Sequence, residues 1–228
     1  MVAKSLEQKV TDLQKTVQSC QHEIERLQAV NEIENLMSKY EYLHMTNRHE
    51  EVMEMYSQKA PDVRVTMKEM GYWQGHDAPQ RAWGDLVKSI GKNATGMLAI
   101  HPTTTPMIVV AGDGKTAKGV WIGTGFVAGA DPKTKEPHCG WEWDRYGVDF
   151  IKEDGKWKFW HFHVYTLFTT GWDDPWAKQF TRESPKMHFY FEPDGPPVDS
   201  YPYRPDTVVQ LIPLPPEPFE TWDKTFSY

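Results

Sequence analysis

The chain has 228 residues, and its 25 Lys and Arg against 32 Asp and Glu give a formal net charge of −7. That length suits one ordinary domain with extensions and a real core, and the mixed, slightly acidic charge excludes the basic footprint of a nucleic-acid binder. No apolar run reaches the roughly 18 residues of a membrane span. Cys20 and Cys139 are the only cysteines. Two isolated thiols make neither a disulfide framework nor a zinc pattern. With a polar start, MVAKSLEQKV, in place of a signal peptide, the expectation is a soluble cytoplasmic protein.

Residues 4 to about 45 read as one long helix or two in line. Leu6, Val10, Leu13, Val17, Cys20, Ile24 and Leu27 alternate spacings of four and three, the seam of a three-heptad coiled coil. The phase breaks at Asn31 and restarts as Val30, Ile33, Met37, Tyr40 and His44. The first part is therefore expected to pack on a partner chain and the second on its own domain, giving a homo-oligomer (dimer or trimer). Arg48 to Gln58 predicts a short second helix ended by Pro61, and Val63 to Met67 a short strand. Gly71 to His76 is a turn-rich connection, and Ala78 to Ile90 a third helix.

An all-strand region follows: Thr95 to Pro102, Thr104 to Ala111, Thr116 to Gly129, Gly140 to Lys152 and Trp157 to Thr169. Gly119, Gly123, Gly125 and Gly129 within one strand imply a curved sheet with space over one face. The last two strands form a hairpin about Asp154-Gly155, a dipeptide suited to positive φ. In its first strand, Tyr146, Val148 and Phe150 alternate with Arg145, Asp149 and Lys152. In its second, a period of two puts Trp157, Phe159, His161 and His163 on one face. From Gly171 the composition turns to proline and aromatics, too aromatic for plain disorder, which predicts a tail wrapped over its own domain or a neighbouring subunit.

The order helix, helix, strand, helix, then antiparallel strands makes an α+β fold. With its local motifs it resembles the nuclear transport factor 2-like superfamily, and within it the SnoaL-like branch of polyketide cyclases, scytalone dehydratase and bile acid dehydratases. The resemblance rests on Ile33-Glu34-Asn35-Leu36-Met37-Ser38-Lys39-Tyr40, on His101 followed by the turn Val109-Val110-Ala111-Gly112-Asp113-Gly114, on Arg145-Tyr146, and on Asp154-Gly155-Lys156-Trp157-Lys158-Phe159. It implies a cone-shaped curved antiparallel sheet packed on helices over residues 29–172. The coiled-coil helix (1–28) precedes this region, and the wrapping tail (173–228) follows it.

The resemblance also implies a pocket lined by a histidine on the first strand after the third helix, matched by His101, and by a tyrosine, matched by Tyr40. The branch's aspartate falls at Met45, next to His44, so the usual Asp–His pair is missing. His44, His161 and His163 are then the candidates to complete the chemistry around His101, with His161 and His163 facing it across the pocket. Tyr146, Tyr72, Trp121, Trp143 and Arg145 are candidate substrate contacts; Arg145 could equally pair with Asp149 or a tail carboxylate. His-x-His on a strand is also a metal-ligand spacing, but the resemblance implies no metal and no cofactor.

Together these features point to a cofactor-independent lyase on a hydroxylated, hydrophobic aromatic or polycyclic small molecule. Its expected reaction is dehydratase-type β-elimination, or retro-aldol loss of formaldehyde, by histidine acid–base catalysis. The alternatives are a double-bond isomerase or polyketide cyclase, and a non-catalytic binding or assembly module.

Overall fold

The computed structural model describes residues 4–90, 94–130, 134–175, 177, 189–198 and 200–228. Helix α1 (Leu6–Met45) opens on a capping box, in which Ser5 and Gln8 each satisfy the other's backbone N–H, two donors that the helix itself cannot bond. Up to Leu27 its apolar seam is exposed, whereas Ala29, Ile33, Met37, Tyr40 and Leu43 are buried. The helix stops at Thr46 and Asn47, the latter with φ +56°.

The second helix, α2 (His49–Met53), is shorter than the periodicity implied. Its expected continuation bonds elsewhere: Tyr56 bridges Phe159, and the Ser57 N–H donates to the Phe159 carbonyl at 2.8 Å. Strand β1 (Arg64–Met67) leads through a 3₁₀ turn, Lys68–Met70, into β2 (Gly71–Gln74). The turn-rich connection is thus a strand, entered through Gly71 at φ +124°, a value that side chains disfavour. Helix α3 spans Ala78–Ile90.

The other strands are β3 (Leu98–Ile100), β4 (Thr103–Val110), β5 (Thr116–Ala130), β6 (Pro137–Glu153) and β7 (Lys156–Gly171). The sheet order is β2-β1-β7-β6-β5-β3, with β4 also on β5. All pairings are antiparallel except β1 with β7. The β6–β7 turn has Asp154 at φ +48° and Gly155 at +76°, the paired positive values of a tight hairpin. The long strands curve into a cone whose inner face holds the core, Tyr146, Val148, Phe150, Phe159 and Phe162 among it, closed by Ile33, Met37 and Tyr40 of α1 and Trp83 of α3.

The glycines of β5 make room, as expected, but the room is filled. A Cβ on Gly123 would stand 2.6 Å from the Tyr146 ring, and one on Gly125 would stand 2.5 Å from the His101 ring. These two positions let the inner rings lie directly on the backbone of β5.

One irregularity rearranges the β6–β7 hairpin. Along β6 and β7, Phe150 pairs with Phe159 and Asp149 with His161, so Trp160 is the extra residue of a β-bulge. A bulge shifts the alternation by one. Phe159 and Phe162 therefore share the inner face, 5.2 Å apart, while His161 and His163 turn outward. Their expected position across a pocket from His101 is corrected by this single residue.

The outer face is covered by the tail. Its backbone caps the β4–β5 turn, Gly112 N–H donating to Phe219 O at 2.9 Å and Asp113 N–H to Glu220 O at 3.0 Å. Trp222 packs on Trp160 at 4.4 Å between ring centroids, and Tyr228 lies against Gly147, where any Cβ would collide with its ring. No described helix is long and apolar enough to cross a membrane.

Candidate active site

The end of α1, the start of α2 and the strands β3, β4 and β6 converge on one cluster. His101, in the kink between β3 and β4, is buried, and its Nε2 lies 3.0 Å from Oε2 of Glu142 on β6. Lys68, from the turn after β1, reaches the same carboxylate and lies 2.9 Å from Asp144 Oδ2. Asp144 is fully buried and held by that charge rather than by an aligned hydrogen bond. Lys68 has φ +40°, an uncommon value for a side-chain-bearing residue of the kind found at functional sites.

On the helix side, Tyr40 stacks on His44 with ring centroids 5.6 Å apart, and the His44 ring stands 5.4 Å from that of His101. His44 Nδ1 is 3.0 Å from His49 Nε2, and His49 stacks on Trp83. Tyr146 meets Tyr40 edge-on at 6.3 Å. Beside this cluster lies a pocket of about 270 Å³, lined by Ser38, Glu41, Met45, Ile100, His101 and Thr103 among others, close to the lower size of small-molecule sites.

The electrostatics separate two of these groups. Burial, helped by the Lys68 charge, depresses His101 from 6.5 to about 3, because a buried imidazole loses the hydration of its charged form. His101 is therefore neutral at ordinary pH. With Nε2–H donated to Glu142, Nδ1 carries the free lone pair, and it has no protein partner. Glu41 moves the other way. Burial, then the Asp144 charge, raise it from 4.5 to about 8; the Tyr146 hydroxyl and the Lys68 charge oppose the shift without cancelling it. One pocket thus holds a neutral base and a protonated acid, the separation that acid–base chemistry needs. Burial also lowers His44 far below its usual value and raises Tyr40 and Tyr146, so His44 is neutral and both phenols stay protonated.

His101, Tyr40, His44 and Tyr146 are thus brought together; the other candidates are not. His161 lies on the outer face. Its Nδ1 is 2.8 Å from Asp149 Oδ2 and 3.0 Å from Ser227 Oγ, and its Nε2 donates to the Asp62 carbonyl at 3.1 Å. His163 stacks on Tyr165 on that same face. Arg145 does not pair with Asp149. Its guanidinium donates to the carbonyls of Gln210 (2.9 Å) and Ser200 (2.8 Å), clamping the tail. Trp121 is buried against Phe150 in the core, Trp143 stacks on Phe168, and Tyr72 pairs with Gly195 of the tail. None of these four lines the pocket.

Sequence reasoning missed Glu41, Lys68, Glu142 and Asp144. For Glu41 a signal existed: it follows Met37 by four, on the inward stripe of α1. The other three meet only through sheet register. His101, Glu142 and Asp144 place one ligand atom each within 4.8 Å of one another, so they could hold a divalent cation. The Lys68 ammonium already bonds two of them.

A cone of sheet with a pocket between its inner face and its first helix is an α+β fold of the nuclear transport factor 2-like type. The chain belongs to the SnoaL-like domain family, which it matches over residues 25–163. No curated protein sequence matches it. A candidate scytalone dehydratase from Novosphingobium aromaticivorans superposes with a TM-score of 0.52 at 21% identity, covering 70% of this chain and 98% of that one. A type 2 hexachlorocyclohexane dehydrochlorinase, LinA, gives 0.52 at 15% identity over 71% and 98%. The type 3 enzyme from Novosphingobium barchaimii gives 0.51 at 16% over 66% and 94%. At these identities the likeness is one of fold.

Proposed function

We propose that this chain is a cofactor-independent lyase that removes water from a hydroxylated aromatic or polycyclic small molecule by β-elimination. The family and its structural neighbours support a lyase or isomerase type of activity on a small molecule. The observation that carries the finer reading is the pairing, in one pocket, of a neutral His101 whose Nδ1 is unpartnered with a Glu41 that keeps its proton.

In the reaction, His101 Nδ1 takes a proton from the carbon next to a carbonyl or activated ring. The electrons of that C–H bond form the new C=C bond as the neighbouring C–O bond breaks. Glu41 gives its proton to the departing hydroxyl, which leaves as water. Glu142 holds Nε2–H and stabilises the imidazolium that forms, as a carboxylate behind a catalytic histidine does. Lys68 keeps Glu142 and Asp144 in place. The Tyr146 hydroxyl bonds Glu41 and helps to position it. Return of the proton from His101 to Glu41 restores the starting state. The exposed free thiols of Cys20 and Cys139 fit a reducing, cytoplasmic setting.

The test is turnover of a panel of hydroxylated aryl and polycyclic ketones followed by product mass. Loss of one water, abolished in His101→Ala, is expected. Loss of formaldehyde, or a product of unchanged mass, would replace dehydration by retro-aldol cleavage or isomerisation. Binding without turnover across the panel would point to a ligand carrier.

A further inference from the structure

From Leu6 to Leu27 the seam side chains of α1 are exposed: Leu6 is 78%, Leu13 63% and Leu27 68% accessible. This stretch grips its own domain by the opposite side. His22 Nε2 bonds the Gly112 carbonyl at 2.6 Å, Arg26 donates to the Val110 carbonyl at 3.0 Å, and Ala29 is buried. His22 and Ile24 are two residues apart, hence about 200° apart around a helix. The domain thus fixes the helix with its seam facing away.

The seam says which partner fits. Taking Val10, Val17 and Ile24 as heptad position a places Leu6, Leu13, Cys20 and Leu27 at d. β-branched residues at a with leucine at d favour two parallel strands over three or four. The flanking pairs that such a dimer would bring together are Lys9 with Gln14, Thr16 with Gln21, and Glu23 with Gln28. None sets two like charges against each other.

We propose that residues 6–27 form a parallel, in-register, two-stranded coiled coil with a second copy of this chain, and that the two copies of Cys20 face each other across its axis. The pairing is isologous and closed. It sets both domains at the same end of the coil. The inference does not depend on the reaction assigned to the pocket.

The test uses the full-length protein. Light scattering across a concentration series is expected to give a dimer. Val17→Glu should give a monomer with an unchanged domain melting temperature, since that side chain is exposed and outside the core of its own domain. Gln18→Glu, one residue away and off the seam, should remain dimeric. In a Cys139→Ser background, mild oxidation with copper phenanthroline should produce a disulfide-linked dimer that is absent when Cys20→Ser is added. A monomer or trimer in the wild type, a dimer that survives Val17→Glu, a monomer produced by Gln18→Glu, or a dimer that does not cross-link through Cys20 would each overturn the proposal.

Discussion

The two faces of the sheet carry nearly the same set of groups and use them differently. On the inner face His101, Glu142 and Lys68 meet. On the outer face His161, Asp149 and Lys118 meet, Lys118 Nζ lying 2.8 Å from Asp149 Oδ1. Outside, both His161 nitrogens are bonded, and Ser227 Oγ and the Tyr228 N–H add donors to Asp149. Burial pushes the Asp149 carboxyl up, but the His161 bond and the Lys118 charge outweigh it and leave it below its usual range. Inside, one imidazole nitrogen is left unpartnered beside a pocket. On the proposed function, reactivity follows from the unfilled valence and the access, not from the residue types. A satisfied buried triad ties strands and tail together, and an unsatisfied one is the candidate to move a proton.

That contrast is sharpest in the two histidines. His101→Ala should lower kcat by about 10²- to 10⁴-fold, the usual contribution of a positioned general base, with little change in melting temperature. His161→Ala should do the reverse, keeping turnover per folded molecule and losing stability. Loss of turnover in a well-folded His161→Ala would erase the distinction. Asp149→Ala should cost about 3–5 kcal/mol in denaturant unfolding, because it strands the Lys118 ammonium in a buried site.

Glu41→Gln should lower kcat by roughly 10²-fold and remove an alkaline limb. In the wild type, activity should fall as Glu41 loses its proton near pH 8 and again, at the acid end, only as His101 gains one near pH 3. Stability has its own sign. Glu41 holds a proton in the folded state that the unfolded chain releases above 4.5, so its contribution is fully present below that pH and is lost towards about 8. His101 acts oppositely, its contribution being present above 6.5 and lost as pH falls towards about 3. Urea unfolding from acid to alkaline pH should show the Glu41 decline in the wild type and not in Glu41→Gln. Smallest of all, Arg145→Ala should loosen the tail, about 1–2 kcal/mol for the lost charged hydrogen bonds. Faster proteolysis after residue 189 with unchanged turnover would show it.

Much of the inner face was legible from local pattern. The stripe Ile33, Met37, Tyr40 predicted what α1 buries, and alternation along β6 put Tyr146, Val148 and Phe150 together. The outer face was misread because periodicity carries no mark of a bulge, and one extra residue, Trp160, reverses the assignments of His161 and His163. Lys68, Glu142 and Asp144 were invisible for a different reason. They lie 33 to 43 residues from His101 in the chain, and only the register of β1, β7 and β6 brings them to it. Glu41 lies on the inward stripe one helical turn before Met45, the position at which the resemblance puts the carboxylate. In the proposed reaction the carboxylate absent there is supplied twice, by Glu41 as the acid and by Glu142 as the partner of the imidazole.

The most direct measurement needs no substrate. Nitrogen-15 NMR of labelled histidines, with His101→Gln used to assign the signal, reports which ring nitrogen carries a proton. From about pH 5 to 8, well above the depressed value for His101, the resonances should be those of a neutral ring protonated at Nε2 and bare at Nδ1. A His101 that is an imidazolium at neutral pH, or that carries its proton on Nδ1, would contradict the account.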